Sequence, residues 1–475
     1  MACQIPLSGS VIGSVNNKNT TQSQLSKLAA FRQSVYQCLT RASDALFELI
    51  DAVLTSPAIA SFPELSCAPV FHRQWPSVYE ALKDGKLDST ELLGLEVKNL
   101  PPMSRPLLVG DHTAWPRVQA RTLDDRSFVH QPTLIKGQKP ISIGHRYSTL
   151  GVVPPNGPND PAVAGSWFLP LRHDRIKTDT TPSAKLAEQL KEVCPLLAEQ
   201  SPERPLGLFD SEFGSGAFLE LTADIDCDLL FRIKPNRKFY RAPGPYKGRG
   251  RYPVHGDVFR LSQNKTWHDA DEQWECDDEK LGRVRIQRWD DLHFEDAPKR
   301  IITVFRVERL DARGTRRDPK VIWLGYCGKS KLPLHDPTWR QYLSRYVIEH
   351  WYRFIKQSLN WTLPQFSTPE RSELWSNLML IASWQLWLAR TEAVDNPRRW
   401  QKAQPPEKMT PGRVHRGMGG VLAGIGTPAK APKPRGKSPG WEIGRVRRKR
   451  TRHAVIKKQP QPAAELKKEA KTPCP

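Results

Sequence analysis

Tyr342, Arg345, Glu349 and Lys356 fit the spacing Y-x2-R-x3-E-x6-K within Gln341–Lys356. A helix turns about 100° per residue, so these four fall within an arc of roughly 60°. One helical face then carries a carboxylate flanked by two cations and a phenol. The carboxylate can hold a hard metal cation, and the flanking cations can hold the phosphates on which that metal acts. Taken singly, each residue reads equally well as part of a solvated, salt-bridged face. Two upstream aspartates change the balance. Asp111 ends the apolar run of RPLLVG and Asp210 ends LGLF. Two-metal phosphoryl transfer needs acids converging on cations about 4 Å apart. Mg²⁺ favours carboxylate oxygens and keeps several waters, so no His/Cys cage is required.

The elements around these residues set where they can meet. Apolar residues recur at helical spacing from Gln22 to about Leu54, and further helices are expected at Trp75–Lys83 and around Ser89–Leu93. This gives a helical N-terminal domain ending near Leu100, before Pro101 and Pro102. It is a place for sequence-specific DNA binding or simply for packing. Strands follow at Arg105–Gly110, Ile141–Val153 and Ser166–Leu171, then a helix at Thr181–Glu199 and a strand at Leu206–Phe209. A short helix, Gly216–Ala223, and a strand, Asp228–Lys234, complete the series. The order β-β-β-α-β-α-β is that of an α/β, ribonuclease-H-like fold, a mixed sheet covered by helices.

From about 235 to 330 Gly, Pro, Arg and aromatics dominate, which reads as a β-rich insertion with strands at Asp257–Leu261, Arg283–Arg288, Ile301–Val307 and Lys320–Leu324. Asp336-Pro337 then starts a helix expected to run to about Leu359, with a tryptophan-rich helix from Pro369 to about Val394. Together they form the C-terminal helical part of the catalytic domain, 331–396. Beyond Asn396 the chain is basic and rich in Pro and Gly, and a disordered tail that orders only on nucleic acid is expected. Its Gly436-Lys437-Ser438 is no P-loop, because Ala431 stands where the first glycine is needed.

Composition narrows the partner. The 475 residues carry a formal charge of +22, and Gln401–Pro475 contributes +15 of it, from 19 Lys/Arg against 4 Glu. A polyanion such as double-stranded DNA is the expected partner. Eight scattered cysteines include no C-x2-C pair, which argues against a zinc finger or a disulfide framework. No signal peptide and no apolar run of about 18 residues is evident, so a cytoplasmic, nucleoid-associated protein without a membrane segment is expected.

Alternatives remain for each acid. Asp124 or Asp125 could replace Asp111, and Glu212, Asp224, Asp226 or Asp228 could replace Asp210. The acidic stretch Asp269–Glu279 reads as a solvated charge run. Arg353 shares the face of Glu349 and is a weaker phosphate-binding candidate.

The constellation resembles the DDE transposases of bacterial insertion sequences, in the group with a Y-R-E-K signature and a β-rich insertion. The matching segments are LLVGDHTAWP, LGLFDSEFGSGAF and YLSRYVIEHWYRFIK. The resemblance spans roughly residues 105–395. It implies cut-and-paste transposition, with Asp111, Asp210 and Glu349 as catalytic metal ligands for two Mg²⁺ (or Mn²⁺). Tyr342, Arg345, Arg353 and Lys356 would bind DNA. The implied partners are the terminal inverted repeats and target DNA, engaged by a homodimer on synapsis. In relatives an insertion tryptophan can stack on a flipped base; Trp267, Trp274 and Trp289 are available here, with packing the better expectation for each. A junction or repair nuclease of the same fold, and an inactive DNA-binding derivative, are the rival readings.

Overall fold

A computed structural model describes residues 13–457, apart from 57–60, 132–139, 156–165, 247, 249, 312, 318–319, 435–439, 441 and 447–448. Five helices open the chain: α1 (Gly13–Cys38), α2 (Ser43–Thr55), α3 (Phe62–Leu65), α4 (Pro76–Asp84) and α5 (Ser89–Lys98). The single helical stretch expected from Gln22 to Leu54 is broken after Cys38. A short strand, β1 (Leu39–Arg41), pairs there with β2 (Lys86–Leu87). Ala42, in the left-handed region at φ 55°, makes the turn into α2.

The central run is β3 (Leu107–Pro116), β4 (Ser127–His130), β5 (Ile141–Val153), β6 (Leu169–Ile176), α6 (Pro182–Ala198), β7 (Leu206–Phe209), α7 (Gly216–Leu221) and β8 (Asp228–Arg232). Strand β3 pairs antiparallel with β5 and parallel with β7, while β5 pairs with β6 and β7 with β8. The resulting order β6-β5-β3-β7-β8 is the ribonuclease-H-like arrangement. Helix α6 starts where expected: Pro182 is in its first turn, and the Thr181 hydroxyl accepts from the Ala184 amide at 3.1 Å. Strand β4, absent from the sequence reading, pairs with the start of β5.

The insertion is β-rich, as its composition suggests. Its strands are β9 (Lys238–Arg241), β10 (Val258–Arg260), β11 (Glu272–Asp278), β12 (Gly282–Phe294), β13 (Ala297–Arg309) and β14 (Ile322–Cys327). They continue the catalytic sheet through β14 against β8, giving twelve strands in all. The acidic run forms β11, whose Glu275 takes ion pairs from Arg283 and Arg285 on β12. Trp289 is buried among Phe259, Trp267 and Trp323, and Arg306 lies 5.3 Å from the Trp267 ring.

The last helices are α8 (Thr338–Gln341), a 3₁₀ stretch Tyr342–Tyr346, α9 (Val347–Gln357), α10 (Pro369–Ala389) and α11 (Pro411–Ile425). The helix expected from Pro337 to Leu359 is therefore three pieces. The 3₁₀ turn eclipses residues three apart, so Tyr342 and Arg345 still share a side. Helix α10 is buried on every side, as its tryptophans require.

Helix α11 corrects the expectation of a disordered tail beyond Asn396. Val414, Met418, Val421 and Leu422 are buried, at offsets that put them on one helical stripe. His415 Nε2 lies 2.9 Å from the Val53 carbonyl, and Arg32 reaches Asp51, Gln385 and the Gly426 carbonyl together. The N-terminal helices, α10 and α11 share one apolar core with the sheet.

Candidate active site

Register brings the two aspartates together. On the parallel strands β3 and β7, Gly110 is the partner of Phe209, so Asp111 and Asp210 follow side by side. Neighbouring strands lie about 4.8 Å apart, and partnered side chains leave the same face. Gly110 is required there. A Cβ on it would fall 2.6 Å from Leu186 Cδ1 and 2.8 Å from Phe209 Cε1, so α6 packs directly on the strand beside Asp111.

Glu349 arrives from α9 and is tied to the pair by Arg345. The guanidinium donates to Glu349 Oε1 at 2.8 Å and to Asp111 Oδ2 at 3.2 Å. The Arg345 side chain is 7 % exposed, whereas that of Glu349 is 46 % exposed. Burial works against the Arg345 charge, yet Tyr342, Asp111, Asp210 and Glu349 around it raise its pKa above the ordinary value. Burial also raises the Asp111 pKa, opposed by Arg345 and His112 and reinforced by Asp210. The His112 amide donates to Asp111 Oδ1 at 2.7 Å.

Tyr342 is buried, and burial pushes its phenol up to about 12. Its ring and that of Tyr346 flank the Arg345 guanidinium at 6.0 and 5.2 Å. Tyr342 and Arg345 therefore form the wall behind the acids rather than an open surface. Arg353 is exposed. Lys356 donates to Thr113 Oγ1 at 2.6 Å, two residues along β3 from Asp111, and burial lowers its pKa.

Tyr352 was not a sequence candidate, yet it locks α9 to the sheet. Its hydroxyl lies 3.0 Å from the Asp111 carbonyl and 2.8 Å from Thr149 Oγ1, which in turn meets His173 Nδ1 at 2.8 Å. The signal was present in the helix period: Tyr352 follows Glu349 by three residues and precedes Lys356 by four. His112 was also missed, and its Nε2 lies 3.5 Å from Glu212 Oε2 across the mouth of the site.

The competing aspartates are engaged elsewhere. Asp125 pairs with Arg175, Asp124 with His453, and Asp228 with Arg105 and Arg204. Beside Glu349 lies a cleft of about 710 Å³, lined also by His112, Thr113, Glu212, Tyr352 and Lys356, with Asp111 and Asp210 outside its lining.

The donor set is all carboxylate oxygen, which suits a hard divalent cation. Asp210 adds to the cost of charging Asp111, and a shared cation would relieve it. Among the described residues no three acidic, imidazole or thiol groups already share one coordination centre. Arg345 spans the gap between Asp111 and Glu349.

Among the described residues no helix is long and apolar enough to cross a membrane. No curated protein matches the chain. The family described as DDE superfamily endonuclease matches residues 34–293, more than half of the 475. That span holds Asp111 and Asp210 and stops short of Glu349. With Asp111 inside β3, Asp210 directly after the parallel strand β7 and a family match across both, the chain belongs to the DDE superfamily of endonucleases.

Proposed function

We propose that this endonuclease is a transposase of the Y-R-E-K group, cleaving DNA at the ends of an insertion sequence and joining the freed ends to target DNA. The observation that carries this reading is the contact of Arg345 with both Asp111 and Glu349. It ties the carboxylate of the signature helix through one guanidinium to Asp111, which follows Gly110, the register partner of the residue before Asp210 on β7.

In this mechanism Asp111, Asp210 and Glu349 are the ligands of two Mg²⁺ or Mn²⁺ ions. The ions, when bound, supply activation of the attacking oxygen and stabilisation of the leaving one. Arg345 fixes the spacing of Asp111 and Glu349, and Tyr352 fixes α9 against β3. Lys356, about 10 Å along the helix from Glu349 at 1.5 Å per residue, faces the cleft where a flanking phosphate would lie. Arg353 is exposed for a more distant backbone contact. The partners are the terminal inverted repeats and target duplex, held by a homodimer during synapsis.

The test is Glu349→Gln with Mg²⁺ and a duplex carrying the element end. Cleavage should disappear while binding to the same duplex remains within a few-fold of wild type. Full cleavage by this variant would sink the assignment.

A further inference from the structure

The basic run near the C-terminus does not leave the protein as a free arm. Four residues after it, His453–Ile456, lie along the catalytic sheet. Ile456 forms a parallel bridge with Ser127 on β4, and its amide donates to the Arg126 carbonyl at 2.8 Å. The His453 amide donates to the Arg121 carbonyl at 2.9 Å, and His453 Nδ1 lies 3.1 Å from Asp124 Oδ1.

A second observation shows that the contact is built in from the sheet side. Arg126 is 3 % exposed, and among the described residues its guanidinium donates to the carbonyls of Leu123, Arg117, Val118 and, through Nη2 at 3.2 Å, His453 of the tail. Removing the tail would leave one donor of a buried cation without its partner, which is costly. The tail also meets Ser127, the first residue of β4, which is the outermost strand of the sheet path.

Lys449, Arg450 and Arg452 immediately precede this anchor and are exposed. Arg121 is exposed beside it, and Arg146, bonded to the Phe128 carbonyl on β4, lines the active-site cleft. His130 at the end of β4 lines the same cleft. The anchor thus holds three cations near Ser127, at the opposite end of β4 from the cleft-lining His130.

We propose that Lys449, Arg450 and Arg452 form a backbone-binding surface for duplex DNA, pre-ordered by the contacts of His453 and Ile456 with Arg121, Asp124, Arg126 and Ser127. The phosphodiester backbone is the partner that a sequence-blind set of exposed cations fits. Anchoring removes much of the ordering cost that a free arm would meet on binding. The proposal rests only on the duplex-DNA part of the proposed function.

The experiment measures binding of a labelled duplex of about 30 base pairs by fluorescence anisotropy, in EDTA and over a range of salt. His453→Ala/Ile456→Pro keeps every Lys and Arg but removes the imidazole and the bridging amide. Lys449→Gln/Arg450→Gln/Arg452→Gln keeps the anchor but not the charges. The neutralised variant should bind about 10-fold more weakly, with a log–log salt slope shallower by about 2–3, at about 0.9 per lost phosphate contact. The anchor variant should weaken binding by a similar factor at unchanged charge. As a second readout, duplex DNA should slow tryptic cleavage after Lys449, Arg450 and Arg452 in wild type. Wild-type affinity in the anchor variant, an unchanged slope in the neutralised one, or tryptic cleavage unaffected by DNA overturns the proposal. Failure of the wild-type chain to bind any duplex instead overturns the proposed function.

Discussion

Arg345 and Glu349 meet at 2.8 Å across one helical turn that is half 3₁₀ and half α, and the other arm of the same guanidinium holds Asp111. A planar fork can serve two carboxylates at once, whereas a lysine ammonium is a single point charge. Arg345→Gln should therefore lower DNA cleavage about 100-fold, the scale of a misplaced catalytic group. Arg345→Lys should recover little of that loss. Single-turnover nicking assays decide it, and near-wild-type cleavage by the lysine variant would contradict a spacing role.

Tyr352→Phe removes a hydroxyl that meets Thr149 Oγ1 and the Asp111 carbonyl. The ring keeps its packing, so the change isolates the hydrogen bonds. A stability loss of about 1–2 kcal/mol is expected, together with weaker cleavage, because α9 then sits less firmly on β3. Urea denaturation and nicking rates on one preparation test both halves.

Gly110→Ala places a methyl group against Leu186 and Phe209. Overpacking of this kind costs about 1–3 kcal/mol. The thermal midpoint should fall. A midpoint unchanged from wild type would show that α6 gives way without strain.

Glu96, on α5, is fully buried, and among the described residues neither of its carboxylate oxygens has a hydrogen-bond partner. Burial raises its pKa well above the ordinary 4.5, only partly offset by Arg172. The folded protein thus holds this proton more tightly than the unfolded chain does. Its contribution to stability is complete below the unfolded pKa and is lost as pH rises through the folded one. Glu96→Gln should flatten this part of the stability–pH curve and raise the midpoint at neutral and alkaline pH. Melting curves from pH 4 to 9 would show a parallel shift instead if the carboxyl were not the cause.

The strands that carry the candidate acids were legible because their signals are short and local. LLVG before Asp111 and LGLF before Asp210 are apolar runs of strand length, and both became strands of the expected sheet. The signature around Glu349 was legible in spacing, but not the 3₁₀ turn at Tyr342–Tyr346, because that turn packs against β7 far upstream. Tyr352 and Thr149 were hidden for a similar reason: their pairing joins residues 203 apart in sequence. Helix α11 was lost to composition. Its apolar stripe lies among five glycines and three cationic or imidazole side chains in PGRVHRGMGGVLAGI, so the basic, glycine-rich character outweighed the period. The anchor at His453–Ile456 carries no pattern at all, since its backbone contacts are with Arg121, Arg126 and Ser127, more than 300 residues upstream.

The continuity of the insertion with the catalytic sheet means that it is not a removable module. Leu229, Leu230 and Phe231 of β8 are fully buried, and β14 supplies the backbone partners on that side. Excising residues 238–327 would turn a central strand into a bare, apolar edge open to pairing with another chain. Shortened or chimeric forms lacking this region should be lost to aggregation before their chemistry can be asked about.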